Sequence, residues 1–179
     1  MARPTPVHAL LALLHQMRAG IERIDDDDYA APAPGRSSGG IGAHIRHSLD
    51  HVSALLTSTR SGVCEYDRRR RGTAMETSRR AALTRVRDLM ATLACLDESR
   101  LDDPVLVESQ LEPGGAMLLT RSSLGRELAF VISHTIHHNA LIAQLLRAVG
   151  AAVDDRYGLA PSTPVDADRA PRETFACAR

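Results

Sequence analysis

The sequence has no tryptophan, no lysine and only 3% aromatic residues. With so few rings it lacks the stacking platforms on which single-stranded nucleic acid is held. All 22 basic residues are arginine, and 22 acidic residues match them, so the formal charge is zero. No global field draws such a chain to nucleic acid or to an anionic membrane. Cysteine is scarce: Cys64, Cys95 and Cys177 are far apart, odd in number and form no CxxC pair. That pattern reads as reduced thiols in a cytoplasmic protein, not as a disulfide framework. Long apolar runs are missing too. The leucine-rich stretch at residues 10–14 is interrupted at once by His15 and Gln16, too early for a signal or membrane span.

What remains is helical periodicity. At 179 residues with 44% hydrophobic content, one soluble domain with a full core is the default. Thr5-Pro6 is a helix start, and Val7, Leu10, Leu14, Met17, Ile21 and Ile24 recur at helical spacing behind it. The first helix is expected to run to about Asp27, with the acidic run 25–28 opposing the helix dipole and helping to stop it. Residues 30–40 form a loop, and Ser37-Ser38 offer a cap for a second helix over about 41–59. A further loop holds the arginines 68–71. With no interleaved aromatics it reads as a solvated turn with one or two ion pairs. Thr73 and Glu76 match a capping box for the third helix. Residues 105–111 and 116–120 flank Pro113-Gly114-Gly115 and predict a short β-hairpin. Ser122 or Ser123 then caps a fourth helix that ends at Val149, before Gly150. The expected fold is all-α, a four-helix bundle over residues 1–150 with a small β-hairpin inserted between helices 3 and 4. Residues 151–179, poor in apolar side chains, form an extended, partly flexible tail.

The chemistry lies in the histidines. His134 and His138 are one turn apart, ~40° around the axis of the fourth helix, near the centre of a stripe with Phe130, Val131, Ile142 and Leu145. An unpaired buried imidazole nitrogen costs roughly 1–3 kcal/mol, so two stacked in a core stripe need partners. A divalent metal provides one, and histidines at i, i+4 are the spacing by which one helix offers two ligands to one ion. The second helix carries His44, His47 and His51 along one flank. Three imidazoles and a water make an open zinc site, and nickel or ferrous iron also accept imidazole. Phasing puts His44 and His51 nearer the apolar centre of the second helix than His47. Glu127, two turns before His134 on the same face, suits a hydrogen-bond acceptor for a ligand, a general base, or a first-turn carboxylate at the helix N-terminus.

Ile41-Gly-Ala-His-Ile-Arg-His47 and His134-Thr-Ile-His-His138, in this order, resemble the DinB/YfiT-like superfamily of bacterial metal-binding four-helix bundles. The likeness spans roughly residues 5–150. It implies one ligand on the second helix and two, four apart, on the fourth: His47, His134 and His138, with His51 and then His44 as alternates on phasing. Many relatives follow the last ligand with Arg-Gly-Gln, where this chain has Asn139-Ala140-Leu141, so a relative's substrate does not transfer. Activities in the superfamily imply a metal-dependent thiol S-transferase or hydrolase acting on a small molecule. Zinc and a low-molecular-weight thiol such as bacillithiol or mycothiol would be the cofactors, and a homodimer is compatible. The contrasting expectations are a non-catalytic, stress-associated metal-binding bundle, or a helical interaction module with no metal.

Overall fold

A computed structural model describes residues 5–33, 39–68 and 71–163. The chain is mostly helical: α1 (Pro6–Glu22), α2 (Asp26–Ala30), α3 (Ile41–Ser61), α4 (Arg79–Ala94) and α5 (Leu124–Ala148), with strands β1 (Val63–Glu65), β2 (Pro104–Gln110) and β3 (Met117–Ser123). The four long helices pack in a closed ring: α1 touches α5 and α4, and α3 touches the same two from the other side. Leu10, Leu14, Met17, Ile45, Leu49, Leu128 and Ile142 fill the space between them and are fully buried. Each such side chain contributes about 1.5–3 kcal/mol by leaving water.

The helix ends follow local chemistry. Thr5 caps α1 by accepting from the His8 N–H, with Pro6 in the first turn. The acidic run does not close this helix, which ends at Glu22. Asp25 instead caps the short α2 by accepting from the Asp28 N–H, and Asp26, Asp27 and Asp28 occupy its first turn. Carboxylates are stabilised at a helix N-terminus and disfavoured at a C-terminus, so the run opens a helix. The Thr73–Glu76 capping box is also not realised. Glu76 accepts from the Gly72 N–H and pairs with Arg46 Nε at 2.6 Å, only a 3-10 turn forms there, and Ser78 caps α4. The buried Arg46 guanidinium, which also pairs with Asp50, takes the carboxylate the box needed. Ser37 and Ser38 lie outside the described residues; Gly40 is the cap residue of α3.

The expected hairpin is present as β2 and β3, antiparallel with Pro104 opposite Ser123 and Gln110 opposite Met117. The sheet nevertheless has three strands: β1 runs parallel to β2, pairing Cys64 with Val107. Gly62, at φ 72°, ends α3 in the left-handed conformation and turns the chain straight into β1. β3 leads without a loop into α5, because Ser123 is both its last residue and the helix cap. The sheet therefore lies where α3 ends and α5 begins. Arg68 pairs with Glu65 and Glu108 across it, while Arg69 and Arg70 fall outside the described residues.

Past α5 the chain folds back. Tyr157 is buried, Gly158 N–H donates to Gln16 Oε1, and Arg23 donates to the Ala152 carbonyl. Gly158 has φ +69°, and a Cβ there would collide with the backbone of Asn139 and Ala140. Gly158→Ala is expected to cost more than about 1 kcal/mol. Thermal denaturation should show a drop of roughly 2–4 °C or more; an unchanged midpoint would mean this segment is not docked on α1 and α5. Among the described residues no helix is long and apolar enough to cross a membrane.

Candidate metal centre

α3 and α5 run antiparallel side by side, so histidines climbing one helix meet histidines descending the other. His44 Nδ1 lies 3.1 Å from His138 Nδ1, and His47 Nε2 lies 3.1 Å from His134 Nε2. His51 stacks on His134 with ring centroids 3.9 Å apart. Ser48 and Thr135, both buried, meet at 3.5 Å on the core side of this ladder. All five candidate histidines thus form one cluster, and His137 touches its edge through His138. His51 and His138 are buried, while His44, His47 and His134 are half-buried, which leaves one flank accessible.

Two three-membered sets can be drawn within the cluster. Among the described residues, the donor set whose atoms all lie within 4.8 Å of one another is His47, His51 and His134. His47, His134 and His138 form a near-equilateral triangle of ring centroids, with sides of 4.5, 4.6 and 4.9 Å. Both sets share His47 and His134, and both consist of imidazole alone. Such a donor set suits a divalent ion of zinc character, and a nitrogen pair at 3.1 Å nearly matches the ~3.3 Å edge of a tetrahedral zinc site.

Hydrogen bonds orient the rings. His51 Nδ1–H donates to the His47 carbonyl at 3.0 Å, since a carbonyl can only accept, and this leaves Nε2 with the lone pair. The basicity of His138 is pushed down to about 3, by burial first and then by the imidazoles of His134, His44, His137 and His51. A neutral imidazole is the form that ligates a metal.

On the sheet side Tyr66, Phe130 and Glu127 back the histidines. The Tyr66 ring stacks on His51 at 5.1 Å and 16°, and Phe130 lies 5.8 Å from His134. Tyr66 O–H donates to Glu127 Oε2 at 2.9 Å, and Ser122 O–H donates to Glu127 Oε1 at 2.6 Å. Glu127, which is 3% exposed in the first turn of α5, therefore reaches the imidazoles through Tyr66. Neither Tyr66 nor Ser122 is legible from periodicity. Tyr66 stands in a stretch that reads as loop, and only its place just after the glycine that ends α3 hints at a fixed position.

Burial pushes the Cys64 thiol up to about 11, with Glu127 and Glu65 adding to the rise and Tyr66 and Ser58 opposing it. Because the raised value keeps the thiol protonated, Cys64 should resist alkylation in the folded protein at pH 8. Iodoacetamide labelling followed by peptide mapping should modify the exposed Cys95 and leave Cys64 untouched until denaturant is added.

The sequence profile of the DinB superfamily matches residues 9–142. A crystal structure of a DinB-like protein from Bacillus subtilis superposes with a TM-score of 0.60 at 19% identity, covering 82% of this chain and 93% of that one. At that identity the likeness is one of fold. A protein of Rhizopus delemar called FK506-binding protein 5 is 33% identical over 115 residues, 63% of this chain but 30% of that protein's length. The profile match spans α1 through most of α5, including every histidine of the cluster, and the chain belongs to the DinB superfamily.

Proposed function

We propose that the chain is a metal-dependent enzyme built on a four-helix bundle, a thiol-cofactor S-transferase or hydrolase with one divalent ion, zinc, on an open three-histidine site. The observation that carries this is the imidazole-only cluster contributed by α3 and α5, half-buried on one flank. Three neutral protein ligands leave a coordination position for a small molecule, whereas a structural zinc is closed by four. When bound, a divalent ion there supplies the Lewis acidity that makes a thiol or a water nucleophilic near neutral pH.

His47 and His134 are ligands in either donor set. For the third we favour His138. Around a tetrahedral ion at ~2.0–2.1 Å from each nitrogen, ring centroids stand ~5 Å apart. The His47, His134 and His138 triangle, at 4.5–4.9 Å with planes inclined by 53–65°, needs to open by half an ångström or less. His51 and His134, stacked at 3.9 Å and 24°, are about an ångström too close to aim two lone pairs at one ion. His44, 3.1 Å from Nδ1 of His138, would then engage that nitrogen and leave Nε2 of the ring for the ion. His51 lies beside the ligands with its Nε2 as an acceptor for a thiol or water proton, and Tyr66, held by Glu127, keeps it in place.

Glu127 acts here by positioning Tyr66. Glu127→Gln is expected to retain the metal and to lower turnover by about tenfold. Loss of metal would make it a ligand, and no change in either would leave it a helix-end charge. The central test is elemental analysis of untagged protein, with about one divalent ion per chain expected, followed by titration of the cobalt-substituted form with small neutral thiols beside turnover of a simple electrophile. A cobalt spectrum that responds to neither thiol nor pH would favour the second reading, a non-catalytic, stress-associated metal-binding bundle. The same proposal places the functional domain at residues 1–150 with 151–179 as an appendage, in a bacterial cytoplasm, acting on a small molecule without nucleic acid or membrane. Light scattering tests the homodimer.

A further inference from the structure

We propose that the outer edge of β3 pairs, antiparallel, with the same edge of a second copy of this chain, joining two three-stranded sheets into one. This gives the homodimer of the preceding reading its surface; it rests on that part of the reading alone and not on the metal.

The ladder shows which backbone groups point outward. Leu106 N–H donates to the Gly62 carbonyl and Gln110 N–H to Asp67 Oδ2, so the even-numbered residues of β2 turn their backbone toward β1. Direction alternates along a strand, so Val105, Val107 and Ser109 face β3 and bond to Ser122, Thr120 and Leu118 opposite them. Met117, Leu119 and Arg121 therefore point their N–H and C=O groups away from the sheet. β3 is the last strand in the order β1-β2-β3, and among the described residues no backbone group pairs with that edge.

An open row of donors and acceptors is a template for another strand, and edges that avoid pairing carry proline, a bulge, clustered charge or very few residues. β3 is seven residues long, pairs with β2 in unbroken register and contains no proline; its single charge is Arg121. Its outward half is apolar: Met117 is 43% exposed and Leu119 56%. Leu106, opposite Arg121 on β2, extends the same solvent-facing side.

Two features favour a second copy as the occupant. A strand paired antiparallel with itself has a two-fold axis. With the axis at residue 118, 119 or 120, Arg121 faces Gly115, Met117 or Leu119 of the other copy and never its own counterpart, so like charges do not meet. The whole chain balances 22 basic against 22 acidic residues, so two copies approach without long-range repulsion.

The test is light scattering of the full chain and of Leu119→Pro, with amide hydrogen exchange followed by NMR at low and high protein concentration. Leu119 is exposed and its N–H points to solvent in a single copy, a position where an edge strand tolerates proline, so the variant should fold. Wild type should be a dimer. Leu119→Pro removes one donor from each copy and should raise the dissociation constant at least about tenfold. At high concentration the amides of Met117, Leu119 and Arg121 should gain protection, while those of Leu118 and Thr120, already bonded to β2, should not change. Cross-linking gives an independent readout in a chain carrying Cys95→Ser and Cys177→Ser. Facing Cα atoms ~4.5–5.5 Å apart at the axis are within disulfide reach, so one of Leu118→Cys, Leu119→Cys and Thr120→Cys should form a covalent dimer on oxidation. A dimer that survives Leu119→Pro and is cross-linked by none of the three cysteines would keep the homodimer and overturn this edge. A wild-type monomer would overturn both and leave the edge to a different protein. Neither outcome bears on metal uptake, which elemental analysis decides separately.

Discussion

His134→Ala should abolish tight metal binding. His134 belongs to both donor sets, its Nε2 lies 3.1 Å from that of His47, and its ring touches His51, His138 and Phe130. Losing an outer-shell partner commonly lowers metal affinity 10–100-fold, and losing a direct ligand from a three-histidine site should exceed the upper end, roughly a hundredfold. Competition against a chromophoric chelator measures it, with circular dichroism to show that the helices survive. Near wild-type affinity in this variant would end the three-histidine proposal. His47→Ala should behave alike. His138→Ala and His51→Ala then divide the remaining question. A larger loss in His138→Ala supports the splayed triangle, and a larger loss in His51→Ala moves the third ligand to the stacked ring.

Stripping the metal should lower thermal stability without unfolding the chain. A ligand that binds only the folded state adds about 4 kcal/mol at a thousandfold excess over its dissociation constant. For a chain of this length that corresponds to roughly 10 °C in the melting midpoint. The helices should persist because their packing does not pass through the imidazoles. Leu10, Leu14, Ile45, Leu49, Leu128 and Ile142 are fully buried in an apolar core of their own. Differential scanning calorimetry before and after chelation gives the shift, and far-ultraviolet circular dichroism gives the helix content. A random-coil spectrum of the stripped protein at room temperature would contradict the prediction and liken the chain to a zinc finger.

The parts of the fold that were legible are those written in one segment. Recurrence of Val7, Leu10, Leu14, Met17 and Ile21 marks α1, and Ile41, Ile45, Leu49, Val52 and Leu56 mark α3, because a helix must repeat its buried positions every three to four residues. The β2–β3 hairpin showed itself through the Pro-Gly-Gly between its arms. The strand β1 did not, since Val63-Cys-Glu65 is too short to show an alternation and is a strand only because β2 lies beside it. The aspartates 25–28 were visible as a helix boundary, but whether they end one helix or begin another depends on where the backbone turns. Glu76 matched a cap and was taken by Arg46, from a helix distant in sequence. In each case a local signal competed with a partner that only folding brings near.

The candidate site divides in the same way. His134 and His138 at i, i+4, and three histidines along one flank of α3, were determined by the sequence itself, because the geometry of a single helix places those rings on one face. Which ring of α3 meets which ring of α5 was decided by the antiparallel register of the two helices: His44 against His138, His47 between His134 and His138, His51 on His134. The closing wall of Tyr66 and Phe130, and the tying of Glu127 to His51 through a tyrosine from another element, were likewise decided only by tertiary structure. Periodicity places residues around one axis. The distance between side chains on two axes is set by packing, by the crossing of α3 with α5 and by the sheet that lies over their shared end.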